Sequence, residues 1–184
     1  MTTQTAYSFQ EQMKVSEGAG EKDIATILLA SFPTAIEVEK ASISDDRQGT
    51  DYWVVIQSGQ KLSVDVKVRA TDWAYKYPDE DDVALETWSV IGTKVGWTRD
   101  VKKRTDYILW LWLDTGRWML VPFPMLCSVF VKRWEEWRGA YKTCIQPTAN
   151  RDGSQWRSEC VFVPRKVVWS EIYAAFGGAH DRYE

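Results

Sequence analysis

Apolar and polar positions alternate through Leu62-Ser63-Val64-Asp65-Val66-Lys67-Val68-Arg69, with aliphatic residues at every even position and Ser, Asp, Lys and Arg at the odd ones. Period two predicts a strand with one face in a core, and it puts Asp65 and Lys67 together on the other face, about 7 Å apart at Cα. Asp51-Tyr52-Trp53-Val54-Val55-Ile56 predicts the preceding strand. Gln57-Ser58-Gly59 between them fits a three-residue hairpin loop with Gly59 at the left-handed bulge position. That register sets Tyr52 against Val64, Val54 against Leu62 and Asp51 against Asp65. A two-residue loop would put Asp51 opposite Val66. A one-residue slip turns every side chain to the wrong face, so the apolar pattern selects the first register.

The same reading extends along the chain. Ile24, Ala25 and Leu28 keep helical spacing and predict a core helix over 21–31, ended by Pro33. Residues 35–41 predict a strand with Glu37 and Glu39 outward, and 42–49 a polar loop holding Asp45 and Asp46. After the hairpin comes a long acidic and aromatic loop, 70–82, then a strand over 83–90 carrying Glu86, then a polar, basic stretch over 92–104. The unbroken apolar run from Tyr107 to Leu113 predicts a strand covered on both faces. A tight turn at 114–117 leads to a strand over 118–121 and a helix from about Pro124 to Tyr141. Residues 146–155, with Pro147 and Gly153, read as a loop, and 158–163 as a late strand. Pro164 opens a final helix, with Val168, Ile172, Ala175 and Phe176 on one side. Residues 1–18 read as a polar helix with Phe9 and Met13, and 177–184 as a polar tail.

With 184 residues the expectation is one domain spanning 1–184: a core over about 19–125, an elaboration over about 126–176, and the tail. There is no apolar run of membrane-spanning length and no signal pattern at the start, which points to an intracellular, cytoplasmic protein without a membrane partner. Cys127, Cys144 and Cys160 are widely spaced and include no CxxC pair, so neither a disulfide framework nor a zinc site is expected. His180 is the only histidine, which excludes a Ser-His-Asp triad and a multi-histidine metal site. Neither GxxxxGK[ST] nor GxGxxG occurs, so no nucleotide cofactor is expected.

Two aspartates directly opposed across a hairpin repel each other. A divalent cation between them removes that penalty, and aspartates with a few waters are what Mg²⁺ takes. Asp51, followed by Asp65-Val66-Lys67 in GTDYWVVIQSGQKLSVDVKVR, resembles the PD-(D/E)XK nuclease superfamily, with Gly49-Thr50 in place of the Pro that names the motif. The resemblance covers about residues 19–125. It implies an α/β (α+β) restriction-endonuclease-like αβββαβ core with a mixed central sheet, here followed by C-terminal helix-strand-helix additions. It also implies a Mg²⁺- (or Mn²⁺-) dependent phosphodiesterase acting on nucleic acid, with DNA the expected substrate. By that likeness Asp51, Asp65 and the Val66 carbonyl hold the metal, and Lys67 orients the attacking water or meets charge on the phosphate. Glu86 matches a further acidic position of the family, as catalytic residue and metal ligand, although an edge-strand glutamate facing water accounts for it equally well. Glu21 matches a helix carboxylate, although an acid in a first turn also simply complements the helix dipole. Small nuclease cores of this kind often pair, so a homodimer is an open expectation.

A net charge of −3 is not that of a strong nucleic-acid binder. Basic residues are grouped, however, at Lys67-Val68-Arg69 and at Arg99, Lys102, Lys103 and Arg104. Local groups are what contact phosphate. Eleven tryptophans serve cores, protein docking or base stacking, the last worth about 1–3 kcal/mol per base. Arg69, Lys102 and Lys103 are the candidate phosphate contacts, and Trp73 and Trp97, in polar segments, the candidate stacking surfaces. The competing expectation is a catalytically silent nuclease-fold module that binds nucleic acid, or inhibits or adapts a protein partner, through its tryptophan-rich surface.

Overall fold

The computed structural model describes residues 20–149 and 155–177, so the helix expected over 1–18 and the tail beyond 177 lie outside the described residues. In chain order the elements are α1 (Glu21–Ser31), β1 (Ala35–Lys40), the one-turn α2 (Ile43–Asp46), β2 (Tyr52–Ile56), β3 (Lys61–Arg69) and the one-turn α3 (Trp73–Lys76). They continue with β4 (Asp82–Val90), β5 (Lys94–Val95), β6 (Tyr107–Trp112), β7 (Trp118–Pro122), α4 (Phe123–Ala140), β8 (Thr143–Ala149), β9 (Gln155–Pro164) and α5 (Arg165–Phe176). Single 3₁₀ turns cover Pro78–Glu80 and Trp97–Arg99. The protein is mixed α+β and divides into two compact units. One holds residues 20–75 and 102–124; the other holds 76–101 and the described residues after 124.

The first unit is built on a five-stranded mixed sheet in the order β1-β2-β3-β6-β7. β3 and β6 run parallel and every other neighbouring pair is antiparallel. The hairpin takes the register the apolar pattern selects, with Tyr52 opposite Val64 and Val54 opposite Leu62. Gly59 turns the loop at φ 82°, in the left-handed region where a Cβ is disfavoured. One face of the sheet buries Tyr52, Val54, Val64, Val68, Leu109 and Leu111 against Ile24 and Leu28 of α1. The even positions of β3 are thus committed to this core, and Asp65 and Lys67 are turned to the opposite face. β6 is buried from Ile108 to Trp112, as its unbroken apolar run requires. Between β3 and β6, the described chain has no helix longer than one turn.

The second unit carries an antiparallel sheet in the order β5-β4-β9-β8. The strand of Glu86, read from sequence as part of a core over 19–125, pairs here with β9 from the C-terminal third. The loop expected over 146–155 is corrected at 146–149 and at 155, which are strand, while 150–154 lie outside the described residues. Residues 143–149 form β8, paired with β9 from Thr143–Val161 to Ala149–Gln155. Pro147 reads as a breaker, but β8 is an edge strand, where a missing N–H need leave no ladder bond unmade. The loops expected over 42–49 and 70–82 likewise contain one-turn helices, α2 and α3. Among the described residues no helix is long and apolar enough to cross a membrane.

Candidate functional site

β2 stops one residue short of Asp51, and Asp51 attaches itself to β3 in a different way. Its N–H donates to Val64 O at 2.9 Å, and its Oδ2 accepts from the Val66 N–H at 2.6 Å. The carboxylate thereby takes over a main-chain partner of β3 at the point where strand pairing ends. A strand residue directs its N–H and C=O to the same side, so the Val66 carbonyl also points toward Asp51.

Asp65 is 3% exposed. The Lys67 ammonium donates to its Oδ1 and the Lys103 ammonium to its Oδ2, each at 2.6 Å. The Asp51 carboxyl lies close enough for the Asp65 charge to act on it. Two carboxyls and two ammonium groups therefore share one spot at the end of the hairpin.

Burial, with the charge of Asp65 added, pushes Asp51 up to about 7 against the pull of the Val66 N–H and Lys67. Burial works to raise Asp65 too, but Lys67 and Lys103 outweigh it and hold its carboxyl well below the usual range. Between its ordinary value of 3.8 and about 7, Asp51 keeps its proton in the folded protein while the unfolded chain has lost it. The folded state binds the extra proton there, so this group makes stability fall as pH rises through that window. Asp65 acts with the opposite slope, but only below 3.8. The expected result is that the melting temperature of metal-free Asp51→Asn gains on the parent between about pH 5 and about pH 8. A constant difference between the two proteins would contradict the raised Asp51.

The donor chemistry decides whether a divalent cation fits. No group of three or more His, Cys, Asp or Glu side chains gathers among the described residues. The set is two neighbouring carboxyls with a main-chain carbonyl on the same side. Mg²⁺ keeps several waters and is held by one or two carboxylates, so hard oxygen donors in this number fit it or Mn²⁺. The negative charge of Asp65 is already offset by two ammonium groups, work that a cation would also do.

The surroundings brace the site. Thr105 Oγ1 donates to Gly49 O at 2.6 Å, and Thr50 Oγ1 to Arg104 O at 3.3 Å, joining the segment before Asp51 to the segment before β6. Asp106 Oδ2 accepts from both Ser63 N–H and Ser63 Oγ, so this aspartate fixes the start of β6 against β3. Compared with known proteins, the chain matches no family model, no curated protein and no solved structure.

Arg69 donates from Nη1 to Val68 O at 2.9 Å. Trp73, on α3, is 53% exposed, and Lys102 is exposed. Lys103, read as a phosphate contact, donates to Asp65 Oδ2 at 2.6 Å. Glu21 is the first residue of α1. Glu86 belongs to the four-stranded sheet of the second unit, not to the sheet of Asp51 and Asp65. Its Oε2 accepts from Ser89 Oγ at 2.7 Å and from the Trp97 N–H at 2.9 Å, which ties β4 to the turn at 97–99. Trp97 is half-buried there.

Sequence reasoning missed two buried carboxylates. Asp72 accepts from Arg117 Nε and Nη2, each at 2.6 Å, and Arg117 lies 4.2 Å from the Trp112 ring centroid. In the second unit, Glu159 accepts from Arg138 and from the buried Thr87 hydroxyl. Beside this pair, Arg99 lies 4.4 Å from the Trp88 ring centroid and 3.9 Å from that of Trp134. The Arg138–Glu159 ion pair, with the Thr87 hydrogen bond, holds Glu159 below the usual carboxylate range. No local pattern announces either carboxylate, because each partner is remote in sequence.

Proposed function

We propose that the protein is a Mg²⁺- or Mn²⁺-dependent phosphodiesterase that cleaves DNA, an enzyme of the PD-(D/E)XK type. The observation that carries this reading is the meeting of Asp51, Asp65 and Lys67 at one end of the β2–β3 hairpin, with the Val66 N–H on Asp51 Oδ2 and Lys67 on Asp65 Oδ1. The order α1-β1-β2-β3, with β6 parallel to β3, supports a restriction-endonuclease-like core. The connection from β3 to β6, which carries β4 and β5 of the other sheet and no helix longer than one turn, is a departure from the αβββαβ plan.

Asp51, Asp65 and the Val66 carbonyl are the residues that would hold the ion. When bound, such an ion lowers the pKa of its water and polarises a phosphoryl oxygen. The remaining work falls to the chain. Lys67, 24% exposed and 2.6 Å from Asp65, would orient the attacking water or meet charge growing on the phosphate. Arg69 follows Lys67 on the same side of β3, and together with Lys102 it offers positive charge to a phosphate backbone. Trp73 offers an exposed ring for stacking. A cytoplasmic enzyme, acting as a monomer or a homodimer, fits this reading.

One observation favours the second reading, a catalytically silent module that binds nucleic acid or a protein partner. Both oxygens of Asp65 are already matched by lysines, so the pair is electrostatically satisfied without a metal. Cleavage of labelled single-stranded, duplex and branched DNA in Mg²⁺, Mn²⁺ or EDTA separates the two. The nuclease reading expects metal-dependent cutting that drops at least about a hundredfold in Lys67→Ala. Absence of cutting by folded parent protein, or full cutting by the mutant, would overturn it.

A further inference from the structure

Lys103 occupies a place that the reading above leaves without a purpose. Its side chain is only 10% exposed, and its ammonium bonds the Asp65 oxygen that Lys67 does not take. It also lies 6.0 Å from the Phe123 ring centroid, at the limit of a cation–π contact. To reach Asp65 the side chain passes directly over Gly49. A Cβ built there would meet Lys103 Cε at 2.9 Å and Nζ more closely still, and Gly49 itself holds φ 95°. The Thr105–Gly49 and Thr50–Arg104 hydrogen bonds keep the two segments side by side. A lysine that would otherwise wander is thus aimed at one oxygen from a segment of its own, Lys102-Lys103-Arg104, outside the hairpin.

We infer that Lys103 is an internal stand-in for the divalent cation: it holds Asp65 Oδ2 while the ion is absent, yields that oxygen when the ion binds, and then turns to a substrate phosphate. This rests on the metal-dependent reading of the same site. An ammonium and a divalent cation compete for the same carboxylate oxygen. A lysine on a flexible four-carbon stem can leave without disturbing the sheet. Once displaced, it adds positive charge beside the ion, where a phosphate oxygen arrives. Ion binding and phosphate binding are then coupled, each strengthening the other. Gly49 is the residue that keeps the path open.

The test is a Mn²⁺ titration followed by electron paramagnetic resonance on the parent, Lys103→Met and Gly49→Ala, with binding of a DNA oligonucleotide measured with and without Ca²⁺. Lys103→Met is expected to bind Mn²⁺ about tenfold more tightly than the parent, because a competing charge is gone. It is also expected to lose most of the gain in DNA affinity that Ca²⁺ gives the parent. The Mn²⁺-induced rise in melting temperature should be larger in this variant, a readout that holds even if it is less stable to begin with. Gly49→Ala keeps the lysine but obstructs its path, and should shift Mn²⁺ affinity the same way. Parent-like or weaker Mn²⁺ binding by Lys103→Met would overturn the stand-in role. Unchanged Mn²⁺ affinity in Gly49→Ala would overturn the steering by Gly49. A parent that binds no Mn²⁺ would instead overturn the metal reading beneath both.

Discussion

Asp65→Asn is expected to lose divalent-cation binding and, with it, DNA cleavage, while the chain still folds. Asp65→Ala is expected to lose both and to cost about 3–5 kcal/mol of stability as well. The difference lies in what remains for the lysines. Lys67 and Lys103, 24% and 10% exposed, both end 2.6 Å from an oxygen of Asp65. Alanine leaves two ammonium groups close together and mostly out of water, with only Asp51 nearby. Asparagine keeps one oxygen that can accept from one of them. Loss of the Asp65 charge also removes a cause that raises Asp51 and leaves burial as the main one, so the Asp51 carboxyl should titrate below about 7 in Asp65→Asn. Thermal melts and carboxyl NMR on the two variants check this. An Asp65→Ala protein as stable as the parent would mean that the lysines do not depend on Asp65.

Arg117→Ala is expected to destabilise by a similar amount, about 3–5 kcal/mol, and to leave metal binding unchanged. Asp72 is 1% exposed, and Arg117 meets it with two hydrogen bonds in a planar fork. Removing the arginine strands that carboxylate, with Thr115 Oγ1 and the protein's own dipoles as its remaining support. It also strips the guanidinium from the face of Trp112. For a chain of this size the melting temperature should fall by roughly 6–20 °C. The double variant Arg117→Ala/Asp72→Asn should recover part of the loss, because the stranded charge is gone. A drop in melting temperature with full Mn²⁺ affinity would separate this scaffold pair from the Asp51–Asp65 site. Loss of Mn²⁺ binding in Arg117→Ala would join them.

The hairpin was legible before any coordinates because two independent signals agree. Period-two alternation fixes which face of β3 is apolar, and Gly59 fixes the loop, so the meeting of Asp51 with Asp65 follows. α1 and the buried β6 were legible for similar reasons, an apolar stripe and an unbroken apolar run. β8 was not, since Pro147 signals a break unless the strand is known to lie at an edge. The sheet that receives β4 was hidden too: alternation around Glu86 is the same whichever partner the strand takes, and its partner, β9, lies some seventy residues on. Lys103 sits in a polar, basic stretch that reads as phosphate-binding. Its approach to Asp65 becomes visible only once β6 is known to run parallel beside β3, with Ile108 opposite Asp65. The Asp72–Arg117 pair spans 45 residues and leaves no local trace.

The most direct test of the central claim is Mn²⁺ binding to the parent and to Asp65→Asn, counted by electron paramagnetic resonance. At least one bound ion per chain is expected in the parent, and its loss in the variant. A folded parent that binds no Mn²⁺, or a variant that binds it equally well, would contradict a metal site at Asp51 and Asp65.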